Sequence, residues 1–173
     1  MRVFLVGFMG SGKSYTGSRL AEAVNQTFID LDDWIEKQQS QSIRSIFEQY
    51  GETHFRSIER EALHQMAQFE QAIISCGGGT PCFFNNMDWI NTNGLSIYLK
   101  ASPTLLSQRL LPEMEHRPIL KGHTSDSLSD FIENKLQERA MYYEQAHVIF
   151  EQQEIKENTV KHLLNHYKKI IGH

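Results

Sequence analysis

Apolar residues fall along this chain in short uninterrupted blocks, separated by longer stretches where they recur every three or four positions. Val3-Phe4-Leu5-Val6, Phe28-Ile29-Asp30, Ala72-Ile73-Ile74-Ser75, Leu95-Ser96-Ile97-Tyr98-Leu99 and His147-Val148-Ile149-Phe150 read as strands. Blocks this short and this apolar suit strands covered on both faces. Between them the period lengthens to that of a helix. Gly17, Leu20, Ala21 and Val24 share one face, and Val160, Leu163, Leu164, Tyr167, Ile170 and Ile171 share another near the end of the chain. Leu31 to about Gln68 is predicted to be mostly helical with a break near Gly51. Further helices are expected within Phe84–Asn91, near Pro103–Leu111 and over about Asp126–Tyr143. Residues 112–125 show no clean period and read as a mobile loop.

Five strands alternating with helices predict parallel pairing and right-handed crossovers. The expected fold is α/β: a three-layer α/β/α sandwich around a five-stranded parallel sheet. Ligands of such sheets bind at the carboxyl ends of the strands, near the topological switch point. The residues just after Val6, Ile29 and Ser75 are therefore functional candidates.

At 173 residues the chain fits a single domain, 1–173. Its 40% hydrophobic and 22% charged residues are the make-up of a globular core rather than of disorder. The net charge of -4 makes a general affinity for nucleic acid unexpected, so any anionic ligand must be met by a few placed cations. Cys76 and Cys82 are too few for a disulfide framework or a four-ligand zinc site. The opening MRVFLVGFMGSGKS lacks the form of a signal peptide, and no window is long and apolar enough to span a membrane. The expected location is the cytoplasm, with no membrane partner.

The strongest chemical signal is Gly7-Phe8-Met9-Gly10-Ser11-Gly12-Lys13-Ser14, which matches GxxxxGK[ST] between a strand and a helix. Backbone N–H groups of such a loop curl around a phosphate, and the helix N-terminus adds positive potential. Lys13 can reach the β- and γ-phosphates and Ser14 can ligate Mg²⁺. This motif marks a P-loop nucleotide-binding fold and leaves the phosphoryl acceptor open.

The acceptor side is less specific. Asp30 and Asp32 point the same way if the strand alternation continues, with Asp33 turned elsewhere. One carboxylate would support Mg²⁺ and the other would accept a hydrogen bond from an attacking hydroxyl; alternatively Asp32 or Asp33 caps the next helix. Glu52 and Arg56 stand four apart, which is a surface ion pair or a forked cation for a substrate carboxylate. Gly77-Gly78-Gly79 permits either close ligand approach or a tight turn. Arg117 lies in the aperiodic stretch and Arg139 in the following helix; each is a phosphate or substrate cation or a solvated charge. His162 and His166 share a helix but lack the glutamate of a zinc motif.

Taken together, GFMGSGKS, the DLD at Asp30–Asp32, GETHFR, the GGG at Gly77–Gly79, RPIL from Arg117 and QERAMYYEQA around Arg139 resemble the shikimate kinase family over essentially the whole chain. The resemblance implies a P-loop kinase fold of the nucleoside monophosphate kinase type. It implies transfer of the ATP γ-phosphoryl to the 3-hydroxyl of shikimate, on the route to chorismate and aromatic amino acids. By the same resemblance Gly10, Ser11, Gly12, Lys13, Ser14, Tyr15, Arg109 and Arg117 would bind the nucleotide. Ser14 and Asp30 would hold Mg²⁺. Asp32, Arg56, Gly77, Gly78, Gly79 and Arg139 would bind shikimate, with Arg56 and Arg139 on its carboxylate. Lys13, Asp32 and Arg117 would be catalytic, Arg117 from a lid near 112–125, and the segment near 31–60 would carry substrate-binding helices. A monomer is expected. Two departures stand out: Tyr15 replaces the family's usual Thr, and Glu151-Gln152-Gln153-Glu154 is acidic and amide-rich where many members carry Thr or Arg. Competing readings are a gluconate kinase, a nucleoside monophosphate kinase and a nucleotide-binding regulator without catalysis.

Overall fold

Five parallel strands, β1 (Arg2–Val6), β2 (Thr27–Asp30), β3 (Ala72–Ser75), β4 (Leu95–Ala101) and β5 (Val148–Gln152), form one sheet in the order β2-β3-β1-β4-β5. The computed structural model describes residues 1–113, 124–152 and 157–171. Seven helices accompany the strands among these residues: α1 (Lys13–Ala23), α2 (Leu31–Gln39), α3 (Ile43–Gln65), α4 (Asn86–Asn93), α5 (Pro103–Leu110), α6 (Ser125–Tyr143) and α7 (Glu157–Ile171). β1 is central, pairing Phe4 with Ile74 of β3 and with Ser96 of β4. The chain leaves β1 toward β2 and β3 on one side and later continues to β4 and β5 on the other. That reversal puts the switch point at the carboxyl end of β1, where the glycine loop begins.

Period two within β1 separates two cores. Val3 and Leu5 join Leu20 and Ala21 of α1 and Leu163 and Tyr167 of α7 on one face. Phe4 and Val6 join Leu31 and Ile35 of α2, Phe55 and Leu63 of α3, Ile90 of α4 and Tyr143 of α6 on the other. Val3, Phe4, Leu5 and Val6 are all fully buried, which is why this part of β1 reads as an unbroken apolar block. The three layers expected from the sequence are present. No helix among the described residues is long and apolar enough to cross a membrane.

Three boundaries differ from the sequence reading. The helical stretch from Leu31 breaks first at Ser40, which takes a left-handed φ of 51°, and α3 restarts where the Ser42 hydroxyl accepts from the Ser45 N–H at 3.1 Å. The second break is the expected one, at Gly51 (φ 80°, ψ 174°). β5 begins at Val148 and runs on to Gln152. The aperiodic 112–125 stretch is ordered at its rims. Leu111–Glu113 is a 3₁₀ turn, and Thr124 caps α6 through reciprocal bonds with Ser127. Residues 114–123 between them lie outside the described residues, and so does Arg117.

Candidate active site

The carboxyl ends of β1, β2 and β3 border a cleft of about 760 Å³. Gly10, Gly12, Lys13, Ser14, Tyr15, Asp30, Asp32, Gly77, Gly78 and Arg109 all line it. Four segments separated in sequence thus meet where the topological switch point places a ligand.

The loop Gly7–Gly12 turns β1 into α1, with Gly12 at the helix N-cap in a left-handed conformation (φ 83°) that disfavours a side chain. Lys13 is buried and its Nζ donates to the carbonyls of Gly7 and Phe8, 2.9 Å each, folding back over the loop it follows. Ser11 is also buried. It sits behind the loop rather than on the cleft wall, and its carbonyl accepts from Gln152 Nε2 at 2.9 Å, so β5 braces the loop. Arg109, in the last turn of α5, donates Nη1 to the Gly10 carbonyl at 3.1 Å. Burial lowers the pKa of its guanidinium. Tyr15 is 41% exposed at the cleft mouth, its ring 4.5 Å beneath the Arg19 guanidinium carbon.

Ser14 Oγ donates to Asp30 Oδ2 at 2.5 Å and lies 3.3 Å from Ser75 Oγ. A hydroxyl and a carboxylate facing a phosphate loop are hard oxygen donors of the kind Mg²⁺ takes, one or two from protein and the rest from phosphate and water. Among the described residues no group of three His, Cys, Asp or Glu could hold a metal alone, and the His166 side chain lies outside them. The donor set therefore fits Mg²⁺ brought with a nucleotide better than a resident metal.

Asp30 and Asp32 do share the cleft, and Asp33 is exposed, but the strand alternation invoked for them does not apply. α2 begins at Leu31, so Asp32 enters from the first helical turn. The helix cap is Asp30, whose Oδ1 accepts from the Asp32 N–H at 3.1 Å; neither Asp32 nor Asp33 caps. Burial, then the carboxylates of Asp30 and Glu59, push the Asp32 carboxyl up to about 6, against the opposing pull of Lys13.

Arg56 combines both of its sequence readings. It pairs with Glu52 at 3.1 Å, the i,i+4 contact expected of a helix surface, yet its side chain is only 11% exposed. Its Nη1 also pairs with buried Glu59 at 2.7 Å, and the guanidinium lies 4.3 Å from the Phe83 ring. Glu59 is held in turn by Thr80 Oγ, which donates to its other oxygen at 2.6 Å. Three of the five guanidinium N–H donors are engaged by these carboxylates.

The glycine turn after β3 is shaped by these side chains. A Cβ at Gly77 would lie 2.9 Å from Asp32 Oδ1 and 3.0 Å from Glu59 Oε1, and one at Gly79 would lie 2.6 Å from Arg56 Nη2. Close approach is thus required by the protein's own groups. Arg139 reaches the same turn from α6, its Nη1 3.3 Å from the Gly78 carbonyl, and Tyr143 Oη donates to that carbonyl at 2.5 Å. Arg56, Gly79 and Arg139 border the far end of the turn rather than the cleft wall itself. Glu59, Thr80 and Tyr143 were not singled out from the sequence. The only signal for Glu59 was its place three residues after Arg56 on one helix, and Thr80 and Tyr143 gave none, because their partners are 21 and 65 residues away.

A family model described as shikimate kinase matches residues 9–168. The chain is 42% identical over 171 residues to shikimate kinase from Parabacteroides distasonis, covering 98% of this chain and 99% of that one. It is 42% identical over 157 residues to shikimate kinase from Bacteroides thetaiotaomicron, covering 91% and 90%. A crystal structure of shikimate kinase from Bacteroides thetaiotaomicron superposes with a TM-score of 0.93 at 38% identity, covering 100% of this chain and 99% of that one. Shikimate kinase from Acinetobacter baumannii in complex with shikimate gives 0.84 at 28% identity, covering 98% and 92%.

Proposed function

Because the chain belongs to the shikimate kinase family, we propose that it transfers the γ-phosphoryl of ATP to the 3-hydroxyl of shikimate, giving shikimate 3-phosphate and ADP. The observation that carries this reading is the pairing of a phosphate loop with an anchored, largely buried Arg56 across one glycine turn. A carboxylate-bearing alcohol is the acceptor such a pair would select. The relative from Acinetobacter baumannii, solved with shikimate, supports the assignment.

In this reading the backbone of Gly10, Ser11 and Gly12 cradles the phosphates, and Tyr15 and Arg109 border the rest of the nucleotide. Lys13 exchanges the Gly7 and Phe8 carbonyls for the β- and γ-phosphate oxygens, compensating the charge that develops there. Ser14 and Asp30 would hold Mg²⁺, which would supply positive charge to the phosphates. Shikimate lies along Gly77, Gly78 and Gly79, its carboxylate taken by Arg56 and Arg139. Asp32 accepts the hydrogen bond of the attacking hydroxyl and directs its lone pair at the γ-phosphorus. A loose phosphoryl-transfer transition state depends on placement and charge, so a carboxylate of modest basicity suffices. Arg117 acts from the segment that follows Pro112, supplying positive charge to the transferring group. The enzyme works as a monomer in the cytoplasm.

A coupled assay for ADP release with shikimate, gluconate and AMP as acceptors tests the proposal. Release that depends on shikimate alone is expected. Release driven by gluconate or AMP, or independent of any acceptor, would overturn it.

A further inference from the structure

The Gly78 carbonyl has two donors, and they differ. Tyr143 Oη lies 2.5 Å away, while Arg139 Nη1 lies 3.3 Å away, near the limit of a useful hydrogen bond. Both donors come from α6, one helical turn apart, so one turn of helix carries the short bond from the phenol and the longer one from the cation. Tyr143 is fully buried, and its ring packs on that of Tyr98 from β4 at 5.0 Å between centroids. The phenol is therefore fixed by the sheet on one side and by the glycine turn on the other. Burial pushes its pKa up, so the hydroxyl stays a donor throughout the working pH range.

Two consequences follow from that bond. In a trans peptide the carbonyl and the following N–H point in opposite directions. Holding the Gly78 carbonyl toward α6 thus also fixes which way the Gly79 N–H faces, in a turn whose glycines have little conformational preference of their own. Second, the carbonyl is part-buried at the cleft edge, where losing its short donor leaves it poorly satisfied. With Tyr143 Oη holding the carbonyl at 2.5 Å, Arg139 shares it only through the longer 3.3 Å contact of Nη1, which leaves its other N–H groups uncommitted to that carbonyl.

From this geometry we infer that Tyr143 is a positioning residue for the acceptor: its hydroxyl holds the Gly78 peptide and so leaves Arg139 available to the substrate carboxylate. The inference rests on the acceptor proposed above. It predicts that deleting the hydroxyl alone damages shikimate binding through Arg139, although Tyr143 itself need not touch shikimate.

The test compares wild type, Tyr143→Phe, Arg139→Lys and the double variant, varying shikimate and ATP in turn and following thermal unfolding of each protein. Tyr143→Phe should raise the KM for shikimate by about five- to tenfold, the scale of one lost hydrogen bond. The KM for ATP should stay within about twofold, and Tm should move little because the ring remains on Tyr98. In the Arg139→Lys background the same substitution should add less than about twofold, since coupled groups are not additive. An unchanged shikimate KM, equal rises in both KM values with a falling Tm, or full additivity with Arg139→Lys would each overturn the inference. A Tyr143→Phe protein that does not fold would make the hydroxyl structural and overturn it as well. A wild type inert toward shikimate would instead overturn the acceptor assignment, and is recognised before any variant is compared.

Discussion

Asp32 faces two opposed demands. In the proposed reaction its carboxylate is ionised to accept the hydrogen bond of the attacking hydroxyl, yet it stands among Asp30, Glu59 and a largely buried surround that push its pKa up to about 6. From 3.8 to about 6 the folded chain holds a proton that the unfolded chain has released. The folded state then binds more protons, so stability falls as pH rises through that window. Asn keeps the size and removes the charge. In buffer free of metal and nucleotide, Asp32→Asn should therefore raise Tm above that of wild type at pH 8 and leave it nearly unchanged at pH 4. The same variant should lower kcat sharply with little change in ATP affinity. Equal Tm differences at the two pH values would remove the charge argument. A collapse of ATP affinity with intact shikimate affinity would exchange the roles of Asp32 and Asp30. That both aspartates face one cleft was legible in the sequence, but for the wrong reason. The start of a helix cannot be placed from Asp-Leu-Asp-Asp alone, because Asp30 satisfies a strand pattern and a cap pattern equally well.

Among the elements, the phosphate loop was the most legible, since strand, glycine loop and helix are all local in sequence. The glycine turn after β3 was the least, because what shapes it arrives from α2, α3 and α6. Gly79 shows the consequence. A Cβ there would meet the guanidinium of Arg56, the mobile end of a long side chain, rather than backbone. Gly79→Ala should displace Arg56 and leave the sheet intact. We expect the KM for shikimate to rise about tenfold or more, the scale of a lost charged hydrogen bond, with Tm lowered by only a few degrees. Kinetics indistinguishable from wild type would show that Arg56 relaxes into an equally effective place. The boundary at Ser40 had a signal as well, the Ser-Gln-Ser run that caps α3, but serine alone is too common in helices to decide a break.

For the whole molecule, the sheet order brings the carboxyl ends of β1, β2 and β3 to one cleft, in which the proposed function distinguishes a nucleotide side from an acceptor side. The nucleotide loop lies between β1 and α1, and the acceptor groups come from α2, α3, the β3 turn and α6. In that reading Lys13 acts on the nucleotide side. Lys13→Ala should reduce kcat by roughly 10²–10³, the scale of a preorganised charge at a reacting oxygen. It should abolish the rise in Tm that ATP gives wild type and preserve the rise given by shikimate, since a ligand stabilises only the state that binds it. Loss of both responses would mean that the subsites are not separable.

In the proposed function the acceptor end is built for a carboxylate gripped by a forked cation. Arg56 is already oriented by Glu52 and Glu59 and set against Phe83, so its fork is pre-positioned. Lysine would keep the charge and the helix-surface pair with Glu52 but offer no planar fork. Titrating shikimate by calorimetry into wild type and Arg56→Lys separates the two. Binding should weaken by roughly 1.5–3 kcal/mol, the scale of a hydrogen bond to a charged group. That corresponds to about ten- to a hundredfold in Kd, with ATP affinity held within about twofold. Equal Kd values for shikimate would contradict the account, leaving Arg56 as a helix-surface charge and removing the geometric reason for a carboxylate-bearing acceptor.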